Sequence, residues 1–255
     1  MCLIAFAWRA HPRYELVLAA NRDEFHQRPA EAAQFWPEAP QLLAGRDLSQ
    51  GGTWCGVTRA GRVAAVTNYR DPSRAEPGKR SRGHLVRDYL LGSRDAETAA
   101  EAIEKEKGAY SEFNLLLGDP ESLWYVGSRA LGPQRITPGV HGISNGAFDL
   151  AWPKVRHARA GLEQQLQQDR LEPAALFEVL ASRRIAPDGE LPDTGVGLQL
   201  ERFLSAPFIV SPEYGTRAST VLLIARSGEV RFVERRFGPD GTPIGVTDER
   251  FMLEV

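Results

Sequence analysis

Cysteine, lysine and long apolar runs are all scarce in this chain. Two cysteines, Cys2 and Cys55, in 255 residues cannot form a disulfide framework, and a reducing compartment keeps both as thiols. None of the five histidines stands in a metal-ligand spacing, and no CxxC, HExxH, Walker-type or GxGxxG pattern occurs. The longest early apolar run, residues 3–8, falls far short of the eighteen or so residues of a membrane span. It also lacks a preceding basic segment, so a secretory signal is not expected and the expected location is the cytoplasm. The formal net charge is −2, from 31 basic and 33 acidic residues, which argues against a nucleic-acid or polyanion partner. Only four of the basic residues are Lys; the arginine excess reads as a genome-composition effect rather than chemistry. Composition sets no oligomeric state.

What is present is ordinary globular material: 42 % apolar and 25 % charged residues, enough to bury a sizeable core. There is no internal repeat. Residues 71–80 and 186–197 read as surface loops, each too short to link domains, so residues 1–255 are expected to form one domain. Residues 2–8, 14–20, 62–67, 113–118 and 220–225 are mostly continuous apolar runs, which predicts strands covered on both faces. Only five residues separate the first two, too few for a helical crossover, so they should pair as an antiparallel hairpin. Residues 220–225 should pair likewise with 229–237. Helices are expected over 83–91, 95–107, 153–168 and 173–183, the third with a narrow stripe of Val155, Leu162 and Leu166. Antiparallel strands buried on both faces need cover on both sides. The expected architecture is therefore α+β, a four-layer αββα sandwich of two antiparallel sheets flanked by helices.

The first strand opens on Cys2. With Met1 removed, this residue carries a free thiol and a free α-amine, with ordinary pKa values of about 8.5 and about 7.7–8.0. The amine can then serve as base for its own side chain, the logic of an N-terminal nucleophile. The alternative is a small residue that merely opens a buried strand. Asn21-Arg22-Asp23-Glu24 follows the second strand, and the hairpin returns it to the neighbourhood of Cys2. Arg22 there lowers the thiol pKa by charge, and Asp23 or Glu24 orients the amine; the alternative is a solvated charged turn.

The NRDE run together with Cys2 resembles the NRDE-motif family, also called the Transport and Golgi organisation 2 family. Further stretches agree: Gly45-Arg46-Asp47, Gly51-Gly52-Thr53-Trp54, Thr67-Asn68-Tyr69-Arg70, Ser81-Arg82-Gly83 and Phe113-Asn114-Leu115-Leu116. So do His141-Gly142-Ile143-Ser144-Asn145, Trp152-Pro153-Lys154-Val155 and Tyr214-Gly215-Thr216-Arg217. The resemblance spans residue 2 to about residue 225 and implies an N-terminal-nucleophile hydrolase-like fold. It also implies a non-enzymatic reading, since relatives are connected with haem trafficking and with lipid and mitochondrial metabolism. A more distant similarity, to bile-salt hydrolases and penicillin V acylases, implies that Asn68 and Asn145 donate to an oxyanion. That family spaces its Arg and Asp three apart, whereas Arg22 and Asp23 are adjacent. Arg217, just before a buried strand in a family motif, is the candidate second cation.

Two readings therefore stay open. One is a hydrolase of non-peptide C–N bonds acting through Cys2, Arg22, Asp23, Asn68, Asn145 and Arg217, with no cofactor required. The other is a carrier of haem or another apolar metabolite in the same pocket. Candidate ligand-binding residues are Asn21, Glu24, His26, Trp54, Tyr69 and His84, with His26, His84 or Cys2 as the haem ligand. Gly51-Gly52 is expected to make a positive-φ turn or a close backbone approach. Trp36, like Trp54, either walls the pocket or packs in the core, and Cys55 is expected to be packing.

Overall fold

The structure, a computed structural model, describes residues 2–74 and 78–254. Its strands are β1 Cys2–Trp8, β2 Tyr14–Phe25, β3 Ala30–Trp36, β4 Ala39–Asp47, β5 Cys55–Thr58, β6 Val63–Asn68, β7 Phe113–Gly118, β8 Leu123–Gly127, β9 Gln134–Arg135, β10 Gly139–Ile143, β11 Tyr214–Ala225, β12 Glu229–Phe237 and β13 Pro243–Met252. Its helices are α1 Arg82–Leu91, α2 Ala96–Glu106, α3 Pro153–Gln165, α4 Pro173–Leu180 and α5 Leu198–Leu204. Sheet A runs β10-β1-β2-β11-β12-β13 and sheet B runs β3-β4-β5-β6-β7-β8-β9, with every pairing antiparallel.

Three separate apolar cores make four layers. Along β1, Ile4, Phe6 and Trp8 point into the space between the sheets and meet Leu43, Val57 and Leu116 of sheet B. Alternate residues Leu3, Ala5 and Ala7 point outward onto Val155, Leu162 and Phe177 of α3 and α4. On the far side, α1 and α2 lay Leu85, Leu90 and Ala100 over Leu42, Val66 and Leu115. Because both faces of β1 and β11 are covered, their sequences are continuous apolar runs rather than alternating ones. The αββα sandwich is thus the observed architecture. Trp36 packs in the core under α1 and α2, its Nε1–H donating to the Ala44 carbonyl at 3.0 Å, and Cys55 packs between the sheets.

Several boundaries differ from the sequence expectation. The NRDE run is not a turn after β2 but its last ladder: Phe25, Glu24 and Asp23 pair with Tyr214, Gly215 and Thr216 of β11. A long partner strand overrides the local preference of charged residues for turns. Strands β3, β4, β5, β8, β9, β10 and β13 and helix α5 are additional to the expectation; several, such as β5, β8 and β9, are five residues or shorter. Asp95 caps α2 by accepting from Thr98 N–H at 2.8 Å instead of joining it. Residues 75–77 of the expected loop at 71–80 lie outside the described residues.

Gly51 has φ +67°. Gly52 lies so close to α1 that a Cβ on it would sit 2.5 Å from the Gly83 carbonyl carbon. Both expected roles are therefore present, one on each glycine. Gly52→Ala should lower stability by about 1–3 kcal/mol, the range for forced overpacking, read as a lower urea midpoint with unchanged m-value. An unshifted midpoint would mean that the Gly52–Gly83 approach relaxes freely.

Candidate active site

A cavity of about 360 Å³ opens between the sheets where β1 begins, lined by residues of β1, β2, β4, β6, β11 and the start of α1. Cys2 is two residues from Ile4 along β1 and shares its inner face, so its side chain belongs to the inter-sheet space. Directly opposite on β2 stands Arg22, and both line the cavity. Burial pushes the Cys2 thiol above its ordinary range, while a hydrogen bond from the Asp23 backbone N–H and the Arg22 charge act in the other direction. The thiol therefore needs a base.

The backbone around Cys2 is pinned by a buried polar network joining the two sheets. Ser144 Oγ, just past β10, donates to the Cys2 carbonyl at 3.0 Å. The Ser144 carbonyl in turn accepts from Thr67 Oγ1 and from Asn114 Nδ2, the latter at 3.1 Å. Asn114 also donates to the Gly146 carbonyl at 2.9 Å and accepts from Tyr125 OH at 2.7 Å. Three family-like stretches, those holding Thr67, Asn114 and Ser144, thus meet in one hydrogen-bonded cluster. Such groups can be buried because they satisfy one another.

The candidate residues divide into three groups. Cys2, Arg22, Asp23, Glu24, Trp54, Asn68 and Arg217 line the cavity. Arg217 is held in place by the carbonyls of Phe25, at 3.2 Å, and Arg28. Asn145 is one layer behind: it is fully buried and spends an amide N–H on the Asn68 carbonyl at 2.8 Å, so it supports the Asn68 backbone rather than facing the cavity. Asn21, Tyr69, His26 and His84 are corrected as cavity residues, since none lines it. Asn21 sits opposite Leu3, on the helix side of sheet A. It donates to the Leu180 and Pro207 carbonyls at 3.0 and 2.8 Å and accepts from Ser219 at 2.6 Å, a structural pin. Tyr69 lies against Arg129. His84 is turned to the Gln50 carbonyl at 2.6 Å, and His26 keeps a backbone hydrogen bond with Ser211 while its buried Nε2 has no hydrogen-bond partner among the described residues. Among the described residues, no group of three or more His, Cys, Asp or Glu is arranged to hold a metal ion.

Two cations outside the expected set bear on Cys2 and Asp23. Arg82, in the Ser81-Arg82-Gly83 stretch, lines the cavity and donates to the Glu112 carbonyl at 3.2 Å. Burial lowers its pKa, and Cys2 is the foremost charge favouring its protonated form. Lys154, from Trp152-Pro153-Lys154-Val155, is 2 % exposed, and its Nζ has no hydrogen-bond partner among the described residues. Burial pulls its pKa down to about 8, against the attraction of Asp23. Asp23, also buried, has its pKa raised by burial; Lys154 is the foremost charge holding it down, and Thr216 Oγ1 donates to its carboxylate at 2.7 Å. Beside them runs the buried ion pair of Arg70 and Glu201, with the Arg70 guanidinium 5.0 Å from the Trp152 ring. The sequence signal for both cations was their place inside family-like stretches; nothing local marks either as buried.

Lys154 titrates at about 8 in the fold against 10.5 as its ordinary value. Between those values the unfolded chain binds more protons, so this group makes stability rise with pH across that window. Below its folded pKa the buried ammonium is a net cost, so at pH 7 Lys154→Met should leave stability unchanged or raised. Urea denaturation at pH 7.5 and 9.5 is the check: the variant should lose the wild-type rise. An equal rise in both proteins would remove Lys154 from the account.

The chain matches the family model described as Transport and Golgi organisation 2 over residues 1–239. It is similar to the Transport and Golgi organization protein 2 homolog of Bos taurus, 33 % identical with 100 % of each chain covered. The Homo sapiens homolog is 33 % identical with 92 % of each covered, and the Drosophila melanogaster protein 28 % identical with 92 % of this chain and 91 % of its own covered. Among solved structures it resembles a Caenorhabditis elegans N-acylethanolamine-hydrolyzing acid amidase ortholog, with TM-score 0.51, 10 % identity, and 87 % of this chain and 92 % of that one covered. It also resembles a mutant conjugated bile acid hydrolase of Clostridium perfringens, with TM-score 0.52, 10 % identity, and 100 % and 97 % covered. At such identity these two likenesses speak to the fold alone, the two-sheet sandwich described above. By family model and by relatives alike, the chain belongs to the Transport and Golgi organisation 2 family.

Proposed function

We propose that the protein is an amide hydrolase acting on non-peptide C–N bonds through Cys2, after removal of Met1. The observation that carries the reading is the setting of Cys2: a thiol at a cavity wall, with Arg22 across the ladder, Arg82 nearby and the Asp23 N–H on the sulfur. The Cys2 amine takes the thiol proton as sulfur attacks the carboxamide carbon. The proton passes to the leaving nitrogen, the C–N bond breaks, an amine departs and a thioester remains. Water, deprotonated by the same amine, then cleaves the thioester, giving a carboxylic acid and restoring the thiol. Asn68 is the candidate donor to the oxyanion formed at each step. Asp23, buried where Glu24 is partly exposed, is the better carboxylate for orienting the amine.

The carrier reading has less support. The cavity walls are mostly polar and charged, whereas a porphyrin or lipid needs apolar cover. Neither of the two histidines considered as haem ligands lines the cavity, and His84 is turned to the Gln50 carbonyl.

The test is intact mass followed by a panel of small amides and esters. Met1 should be absent, a stoichiometric acyl adduct should form on Cys2, and Cys2→Ala should abolish it and lower kcat/KM by at least about 10³-fold. Because burial raises the thiol pKa, kcat/KM should climb as pH rises from neutral, tracking an amine near pH 8. Retention of Met1 in the mature protein, or turnover undiminished in Cys2→Ala, would overturn the proposal. Haem titration of the same sample, with a Soret band at stoichiometric binding, would favour the carrier.

A further inference from the structure

Strand β13 is the last strand of sheet A, and no described residue pairs with its outer edge. Such an edge is a template for another strand. The Leu253 N–H donates to the Gly228 carbonyl at 2.9 Å, which marks residues 228 and 253 as a directly opposed, hydrogen-bonded pair. Alternation then turns the backbone groups of Thr247, Glu249 and Phe251 toward β12 and those of Val246, Asp248, Arg250 and Met252 outward. The side chains split the same way. Thr247 donates to the Ala33 carbonyl at 3.0 Å, and Phe251 packs on Phe35, both toward sheet B. Val246, at 59 % exposure, and Met252, at 56 %, face solvent with Asp248 and Arg250.

From this we infer that β13 is a homodimer edge, pairing antiparallel with β13 of a second copy about a two-fold axis at Glu249. The exposed series Val246, Asp248, Arg250, Met252 is self-complementary when reversed. An axis at Glu249 opposes Asp248 to Arg250 of the second copy, and Val246 to its Met252. All four are residues whose backbone groups point outward, as a two-fold ladder requires. An axis at Asp248 or at Arg250 would oppose like charges directly, and an axis at Thr247 would forfeit both ion pairs. Asp248 is already oriented, since it holds Arg231 of its own chain at 2.9 and 3.1 Å. Arg250 has no ion pair among the described residues. The cost of this register is Glu249 facing its own copy on the inner face. The resulting twelve-stranded sheet covers Val246 and Met252 and pairs the open edge.

Sedimentation velocity on the full chain, from micromolar to several hundred micromolar, should show a concentration-dependent dimer. Arg250→Glu, which sets Glu opposite Asp248, should weaken it by about tenfold or more. The exchange of Asp248→Arg with Arg250→Asp should restore it, and Val246→Lys, a charge at the edge, should abolish it. Glu249→Cys should cross-link to itself on mild oxidation, because a non-hydrogen-bonded pair brings Cα atoms to about 4.5 Å, within disulfide reach. Asp248→Cys should not. Circular dichroism of each variant separates loss of pairing from loss of fold. A monomer at every concentration overturns the proposal. So does a dimer indifferent to both Val246→Lys and Arg250→Glu, which would join through another face.

Discussion

The whole site depends on one constraint: β1 is paired along both edges and covered on both faces. Its neighbours are β2 and β10 in the sheet, sheet B inside and α3 with α4 outside. A strand so enclosed has a single register, because a one-residue slip would exchange every inward and outward side chain. That fixed register opposes Cys2 to Arg22. It also fixes the two sides of the NRDE run: Arg22 belongs to the cavity, while Asn21 pins the helix layer. Two neighbouring residues of one short motif thus do different work, because side chains alternate across a strand.

Enclosure has an electrostatic consequence. Burial raises the pKa of Cys2 and Asp23 and lowers that of Lys154, so each group resists the charged form that chemistry at this site would use. Charge is tolerated only in company: Asp23 with Lys154 and Thr216, Arg70 with Glu201 and Trp152. Replacing such a cluster by apolar residues would often be no less stable.

The layers were legible because their signal is periodicity. Continuous apolar runs at β1 and β11 could only mean cover on both faces, and the five-residue gap before β2 could only mean a hairpin. Helix positions agreed with the expected spans, with ends displaced by up to three residues. Half-exposed strands such as β3 and β13 were not legible, because their apolar residues are few and their partners distant in sequence. At the site, Cys2, Arg22 and Asn68 were legible from strand ends and family-like stretches. Lys154 was not, since nothing in the sequence tells that a lysine in the first turn of α3 turns inward. His26 and His84 misled for the opposite reason: proximity in sequence to NRDE and to the start of a helix says nothing of which way a ring turns, and neither lines the cavity.

The two edges of sheet A divide the molecule's tasks. The edge at β10 runs directly into Ser144 and Asn145, which tie the Cys2 carbonyl and the Asn68 carbonyl into the inter-sheet network. Nothing can add to that end of the edge without disturbing the site. The edge at β13 is held differently, by inner contacts that include a hydrogen bond to Ala33, the Phe35–Phe251 aromatic pair and Arg59 over the Phe251 ring. The family pattern covers residues 1–239 and ends before this strand begins. The last strand is therefore free of the contacts that hold Cys2, and a change of side chain there leaves that residue in place.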